Sequence, residues 1–182
     1  MNQRTAPTDL GDEDLLIAVA NTAHLEHDEF ADLAAVRAWW LGLGQPVGAT
    51  RPADPGAVAI LRTLRAVIRA LALRNNGIDT AVDAAALDDL ALRPALTGVP
   101  GLRAESSGDL ARDIGAATVT ALLRASARPS WLRLKACRGD DCRWVFLDGS
   151  RNSSRRWCDM AACGNRAKST SFRARRRGSD PR

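Results

Sequence analysis

CRGDDCRWVFLDGSRNSSRRWCDMAACGNR, Cys137 to Arg166, holds all four cysteines of a 182-residue chain. They fall as two C-x4-C pairs with fifteen residues between them. A tetrahedral metal site needs two passes of chain, each presenting two thiolates, and tight turns carrying paired cysteines supply them at small entropic cost. Four thiolates fill the coordination sphere of one zinc ion and leave no position for water. Cys137, Cys142, Cys158 and Cys163 therefore read as ligands of one structural Zn2+. Two disulfides are one alternative, and a thiol switch is another, because basic neighbours make thiolates more reactive.

The compartment weighs against disulfides. The apolar run LLIAVA (Leu15–Ala20) is short and follows Asp12, Glu13 and Asp14, where a secretory signal carries basic residues. No run approaches the roughly 18 apolar residues of a membrane span. The expectation is a cytoplasmic protein with no membrane partner, in surroundings that keep thiols reduced.

Around the cysteines, WLRLKAC (Trp131–Cys137) and RWVFLD (Arg143–Asp148) cluster apolar residues as short strands do, and DGSRNSS makes a turn. From Ala161 onward the chain reads as a basic helix. A segment of about 50 residues has too little core to fold well alone, so metal is expected to supply much of its folding energy. Trp144 and Trp157, each close to a cysteine, are expected to pack over the site. Charge marks the same boundary. Residues 129–182 carry 14 Lys and Arg against 5 Asp and Glu, a balance of +9, whereas residues 1–128 carry 12 against 16, a balance of −4.

Alanine and leucine dominate residues 1–128, which favours helix over sheet. Asp14–Thr22 is a compact apolar element, strand or helix. Asp32–Leu43 carries Leu33, Val36, Trp39, Trp40 and Leu43 at helical spacing and stops at Gly44. A longer helix is expected from about Pro55 to Asn75, with Asp54 as its cap. Val58, Leu61, Leu64, Ile68 and Leu71 form its apolar stripe, Arg62, Arg65 and Arg69 its solvated face, and Asn75-Asn76-Gly77 its stop. Asp83–Leu92 reads as a shorter helix, Arg93–Glu105 as a small β-hairpin, and Asp109–Ala127 as another helix. The expected fold is mainly α (α+β). A helical N-terminal domain, 1–128, precedes a small zinc-ribbon or treble-clef-like finger, 129–182, that ends in a basic helix.

Such a basic surface meets a polyanion. Arg151, Arg155, Arg156, Arg166, Lys168, Arg173, Arg175, Arg176 and Arg177 lie in or beside the second cysteine turn, and the planar fork of Arg suits phosphate. Asn165 joins them as a candidate contact; it reads equally as a turn residue, and Arg166 equally as a partner of Asp148 or Asp159. Double-stranded DNA is the expected partner. An RNA-binding or ribosome-associated module, or a redox sensor that loses zinc on oxidation, are the other readings of these residues.

The words themselves carry a resemblance. CRGDDCRWVFLDGSRNSSRRWCDMAACGNRAK resembles the CGNR zinc finger, named for the tetrad found here as Cys163-Gly164-Asn165-Arg166. The first 125 or so residues are similar, more diffusely, to the ABATE-type domain that precedes this finger in bacterial proteins regarded as stress-induced transcription regulators. The resemblance implies DNA binding by the finger and four cysteine ligands. A homodimer and a small-molecule effector site near Asn21 and Trp39 are further expectations for the N-terminal domain.

Nothing points to an enzyme. The two histidines, His24 and His27, sit in HLEH, which reads as a solvated surface turn rather than a metal or acid–base site. There is no G-x-S-x-G, phosphate loop or dinucleotide fingerprint.

Overall fold

The computed structural model describes residues 10–48, 54, 56–88, 90, 92–95, 101–104 and 107–178. They form two compact units, Met1–Ile68 with Val82–Pro129, and Arg69–Ala81 with Ser130–Arg182.

In the first unit the undecided apolar element is a helix, α1 (Asp12–Ala20), with Asp12, Glu13 and Asp14 in its first turn, where the helix dipole favours carboxylates. It is followed by α2 (Leu33–Gly42), whose N-cap Asp32 accepts a hydrogen bond from the Ala35 N–H at 2.8 Å. Next comes α3 (Ala57–Asn75), of which Ala57–Ile68 falls in this unit. Asp54 receives the first N–H groups, Gly56 on its carboxylate and Ala57 on its carbonyl, while Pro55 lies outside the described residues. α4 (Leu110–Ser126) is capped by Asp109 and packs against α1 and α2. Leu15, Leu16 and Val19 of α1, Val58, Leu61, Leu64 and Ile68 of α3, and Ile114 of α4 are buried. The expected stripe of α3 thus faces the core, except Leu71, which is half-buried.

Three details depart from the sequence pattern. A pair of two-residue strands, β1 (Ala23–His24) and β2 (His27–Asp28), follows α1, too short for any periodicity to register. Asp83–Leu92 is not an α-helix. It holds one 3-10 turn, Ala85–Leu87, and Leu92 already belongs to a strand, in keeping with the marginal stability of helices that short. Nor is the arginine face of α3 merely solvated: Arg65 is half-buried, and Arg62, although exposed, is bonded to the chain. Arg62 donates to the carbonyls of Phe30 (2.9 Å) and Ala31 (2.7 Å). Arg65 grips Asp28 through two bonds of 2.5 and 3.0 Å and lies over the Phe30 ring. That grip holds the Asp28 carboxyl below the usual carboxylate range. The irregular chain after α1 leaves carbonyls and a carboxylate inward, and α3 satisfies them with arginines.

The expected hairpin is present as β3 (Leu92–Ala95) and β4 (Gly101–Ala104), antiparallel with Leu92 opposite Ala104. Pro94 is tolerated because a two-stranded ribbon consists of edges.

The second unit begins with the end of α3. Gly77, at φ +77, closes that helix in a Schellman motif, with Ile78 N–H bonded to Leu73 O and Gly77 N–H to Arg74 O. β5 (Leu134–Ala136) and β6 (Val145–Leu147) form an antiparallel hairpin with Leu134 opposite Leu147. One wide turn, Met160–Gly164, leads into α5 (Asn165–Gly178). A cysteine-bearing hairpin, then a turn that carries the last ligand and leads into a helix, makes the finger treble-clef-like, and the described residues are mainly helical.

Candidate metal centre

Cys137 follows directly on β5, and Cys142 lies in the turn that returns the chain to β6. This turn is fixed by backbone bonds from Cys137 N–H to Trp144 O (2.8 Å) and from Cys142 N–H to Gly139 O (3.1 Å). Gly139 sits close enough that an added Cβ would meet the Cys142 Cβ at 3.3 Å. Cys158 and Cys163 flank the second turn. There Asp159 accepts the Ala162 N–H on its carboxylate, and the Gly164 N–H reaches back to Asp159 O at 3.1 Å. That five-residue step is wider than an α-helical turn. It brings Cys163 toward the other sulfurs while α5 starts behind it. A Cβ on Gly164 would lie 2.4 Å from Met160 Sδ, which is one physical reason for a glycine at that position.

All four Sγ atoms lie within 4.8 Å of one another. Cys142 and Cys158 approach to 3.5 Å and Cys158 and Cys163 to 3.8 Å. Four sulfurs each ~2.3 Å from one zinc ion stand ~3.8 Å apart in a tetrahedron. Neither approach is near the ~2.05 Å of a disulfide, and all four cysteines are free thiols. The donor set and spacing fit one structural Zn2+, and leave no open position for substrate.

Electrostatics point the same way. Burial pushes the Cys163 thiol up to about 11, and burial with the neighbouring Cys142 and Cys137 pushes Cys158 up further. For Cys137 burial is outweighed by N–H groups of Cys158 and Gly139, which hold it below its ordinary value. Thiolates this crowded cannot all ionise without a cation, and a divalent metal is what permits it.

Two supports of this centre carry no cysteine. The first is a buried ion pair, Lys135 Nζ to Asp148 Oδ2 at 2.8 Å, with Asp148 fully buried. Lys135 also donates to Ser153 O, and Asp148 accepts from Ser150 N–H (2.9 Å), Ser150 Oγ (2.6 Å) and Arg155 N–H (2.9 Å). Burial alone would push the Asp148 carboxyl up; these donors outweigh it and hold the group well below the usual range. The pair thereby folds the DGSRNSS loop and delivers the chain to Cys158.

The second support is the Asn75-Asn76 pair that ends α3. Asn75 Nδ2 donates to Trp131 O (2.9 Å) and Leu134 O (3.0 Å). Asn76 Nδ2 donates to Ala136 O (2.8 Å) and Arg156 O (2.9 Å). Ala136 directly precedes Cys137, and Arg156 lies just before Cys158, so one buried amide ties together the two arms of the zinc site. Sequence reasoning gave these asparagines only a helix stop, since the same residues suit that role. No local pattern announces the other.

The expected nucleic-acid contacts divide into two sets. Arg155, although exposed, is engaged within the finger: it donates to the carbonyls of Trp157 and Cys158 and lies 4.7 Å over the Phe146 ring. Arg166 pairs with Asp141, not with Asp148 or Asp159. Arg151, Arg156, Lys168 and Arg173 are exposed, and among the described residues their side chains meet no carboxylate. Asn165 is exposed at the start of α5, with no cysteine sulfur as a described partner. The side chains of Arg175, Arg176 and Arg177 lie outside the described part. Trp157 is half-buried and lines a cavity with Cys163, whereas Trp144 is 37 % exposed. His24 and His27 oppose each other across β1 and β2, both exposed, with His27 Nε2 2.8 Å from Glu29. Among the described residues the cysteines are the one cluster of metal-type ligands.

Hairpin knuckle, helix and four thiols define a small structural zinc finger. The family model of the CGNR zinc finger matches residues 133–176, which span every ligand. No curated protein matches the chain. Residues 1–132 lie outside the family match, so the ABATE-type similarity rests on sequence words alone. No helix among the described residues is long and apolar enough to cross a membrane.

Proposed function

We propose that the chain is a DNA-binding transcription regulator, without enzymatic activity, whose zinc finger holds duplex DNA. The observation that carries this reading is the set of exposed cations, Arg151, Arg156, Lys168 and Arg173, without carboxylate partners among the described residues, on the unit that carries the four-cysteine site. Unneutralised guanidinium and ammonium groups on a rigid surface gain most from phosphate, because binding releases condensed counterions. In this reading the first unit supplies dimerisation or an effector site, and the protein works in the cytoplasm, which keeps its thiols available to metal.

The test is fluorescence anisotropy of the zinc-loaded chain on duplex DNA and on single-stranded RNA, across a salt series, with and without chelator. Chelator-sensitive duplex binding that weakens with salt is expected. Replacing Arg156 and Lys168 together with Ala should flatten the log–log salt slope by up to about 1.8, the share of two phosphates. Preference for RNA, or binding indifferent to zinc, would sink the proposal.

A further inference from the structure

Within the finger unit, the first cysteine turn and the first turns of α5 enclose a cavity of about 340 Å³. Its charged lining is unevenly satisfied. Asp140 is paired with Arg143 at 3.3 Å, and Asp141 with Arg166. Arg138 also lines the cavity, half-buried. Its Nε and Nη2 donate to a carbonyl, Asn76 O, and among the described residues it has no carboxylate partner. Its backbone N–H bonds to Arg156 O at 3.1 Å, which sets the exposed Arg156 next to it along the chain pairing. Of the charged groups in the lining, Arg138 is thus the one without a carboxylate among the described residues; the hydroxyl residues Thr170 and Ser171 and the metal-site Cys163 share the wall with it.

The geometry points to a backbone subsite for one phosphate and its attached sugar, with Arg138 and Arg166 as the anion clamp and Asp141 as the resident carboxylate that phosphate displaces. This inference rests on the nucleic-acid reading above and deepens it. A planar fork shared with one carboxylate retains further N–H groups, and a phosphodiester offers acceptors at the spacing that a carboxylate does. The Asp141–Arg166 pair suits exchange, because both side chains are more than half exposed and such pairs are weak. The cavity is larger than a phosphate. Its remaining wall includes Trp157 and Ala167, which give apolar surface for a sugar ring. A contact of this kind fixes register on the duplex without reading its bases.

The experiment uses the full zinc-loaded chain and compares Asp141→Asn, Ser171→Glu and the double variant by anisotropy on duplex DNA over a salt series. Zinc stoichiometry is measured on each protein. Asp141→Asn should bind several-fold tighter, with a salt slope steeper by about 0.9. Ser171→Glu puts a carboxylate into the cavity; it should weaken binding about tenfold and cancel the gain in the double variant. Duplex binding by the unaltered chain that neither substitution changes would overturn the subsite and leave the DNA reading intact. Failure of the unaltered chain to bind duplex would overturn both. Should Ser171→Glu lose zinc, the Asp141→Asn result alone decides.

Discussion

Where the first unit buries Leu16, Leu61, Leu64 and Ile114 between helices, the finger buries Lys135 and Asp148 beside four thiols. Apolar burial is non-directional and degrades gradually, a few kcal/mol for each truncated side chain. Zinc–thiolate bonds and a buried ion pair are directional, and the pair is harmful once one partner is lost. A fold held the first way yields by degrees. One held the second way stays whole or comes apart.

Replacement of Cys163 with Ser, or chelation, should produce the largest effect. Apparent zinc affinities of finger peptides correspond to about 10–16 kcal/mol at pH 7, so the finger should lose zinc and unfold while the helical first unit keeps its circular dichroism. The loss should also follow pH. The metal-free Cys158 and Cys163 thiols titrate above their ordinary value and therefore hold protons at neutral pH, which zinc must displace. Affinity should fall as pH falls, about tenfold per unit for each proton displaced. Stoichiometric zinc retained by Cys163→Ser, or pH-independent affinity, would end the four-thiolate assignment.

The mirror experiment is Leu64→Ala in the first unit. It should cost about 2–5 kcal/mol of that unit's stability through the cavity left behind, read by denaturant titration, with zinc affinity unchanged at 25 °C. A matching loss of zinc affinity would break the contrast between the units.

Asn76→Ala should give a smaller effect. One buried and one part-buried carbonyl lose their donor, at about 1–3 kcal/mol, and zinc affinity should drop in proportion without altered metal stoichiometry. An unchanged zinc affinity would remove Asn76 from the centre.

The metal site and the main helices were legible for definite reasons. Paired cysteines leave few arrangements, and α2, α3 and α4 repeat their apolar residues at helical spacing. Gly44 and Gly77 mark real ends, both at positive φ. What stayed hidden depends on partners remote in sequence. Arg65 finds Asp28, Arg62 finds the Phe30 carbonyl, and Asn76 finds Arg156, and no window of neighbouring residues contains both members. The acid that pairs with Arg166 was hidden for the same reason: Asp141 lies on the other cysteine turn, whereas the pairing alternative read from sequence named Asp148 or Asp159. The Asp83–Leu92 helix failed differently. Its composition is helical, yet the stretch is short and the following strand claims its end.

The amide of Asn76 has one more consequence, in time rather than in energy. At about 5–20 residues per second of synthesis, the chain exposes Asn76 on the order of ten seconds before Cys163 is made. Through that interval the end of α3 offers its donors to water, and the first cysteine pair waits without its counterpart. Metal capture is therefore a late event in the life of each new chain, a closing step that registers whether both ends of a long detour have met.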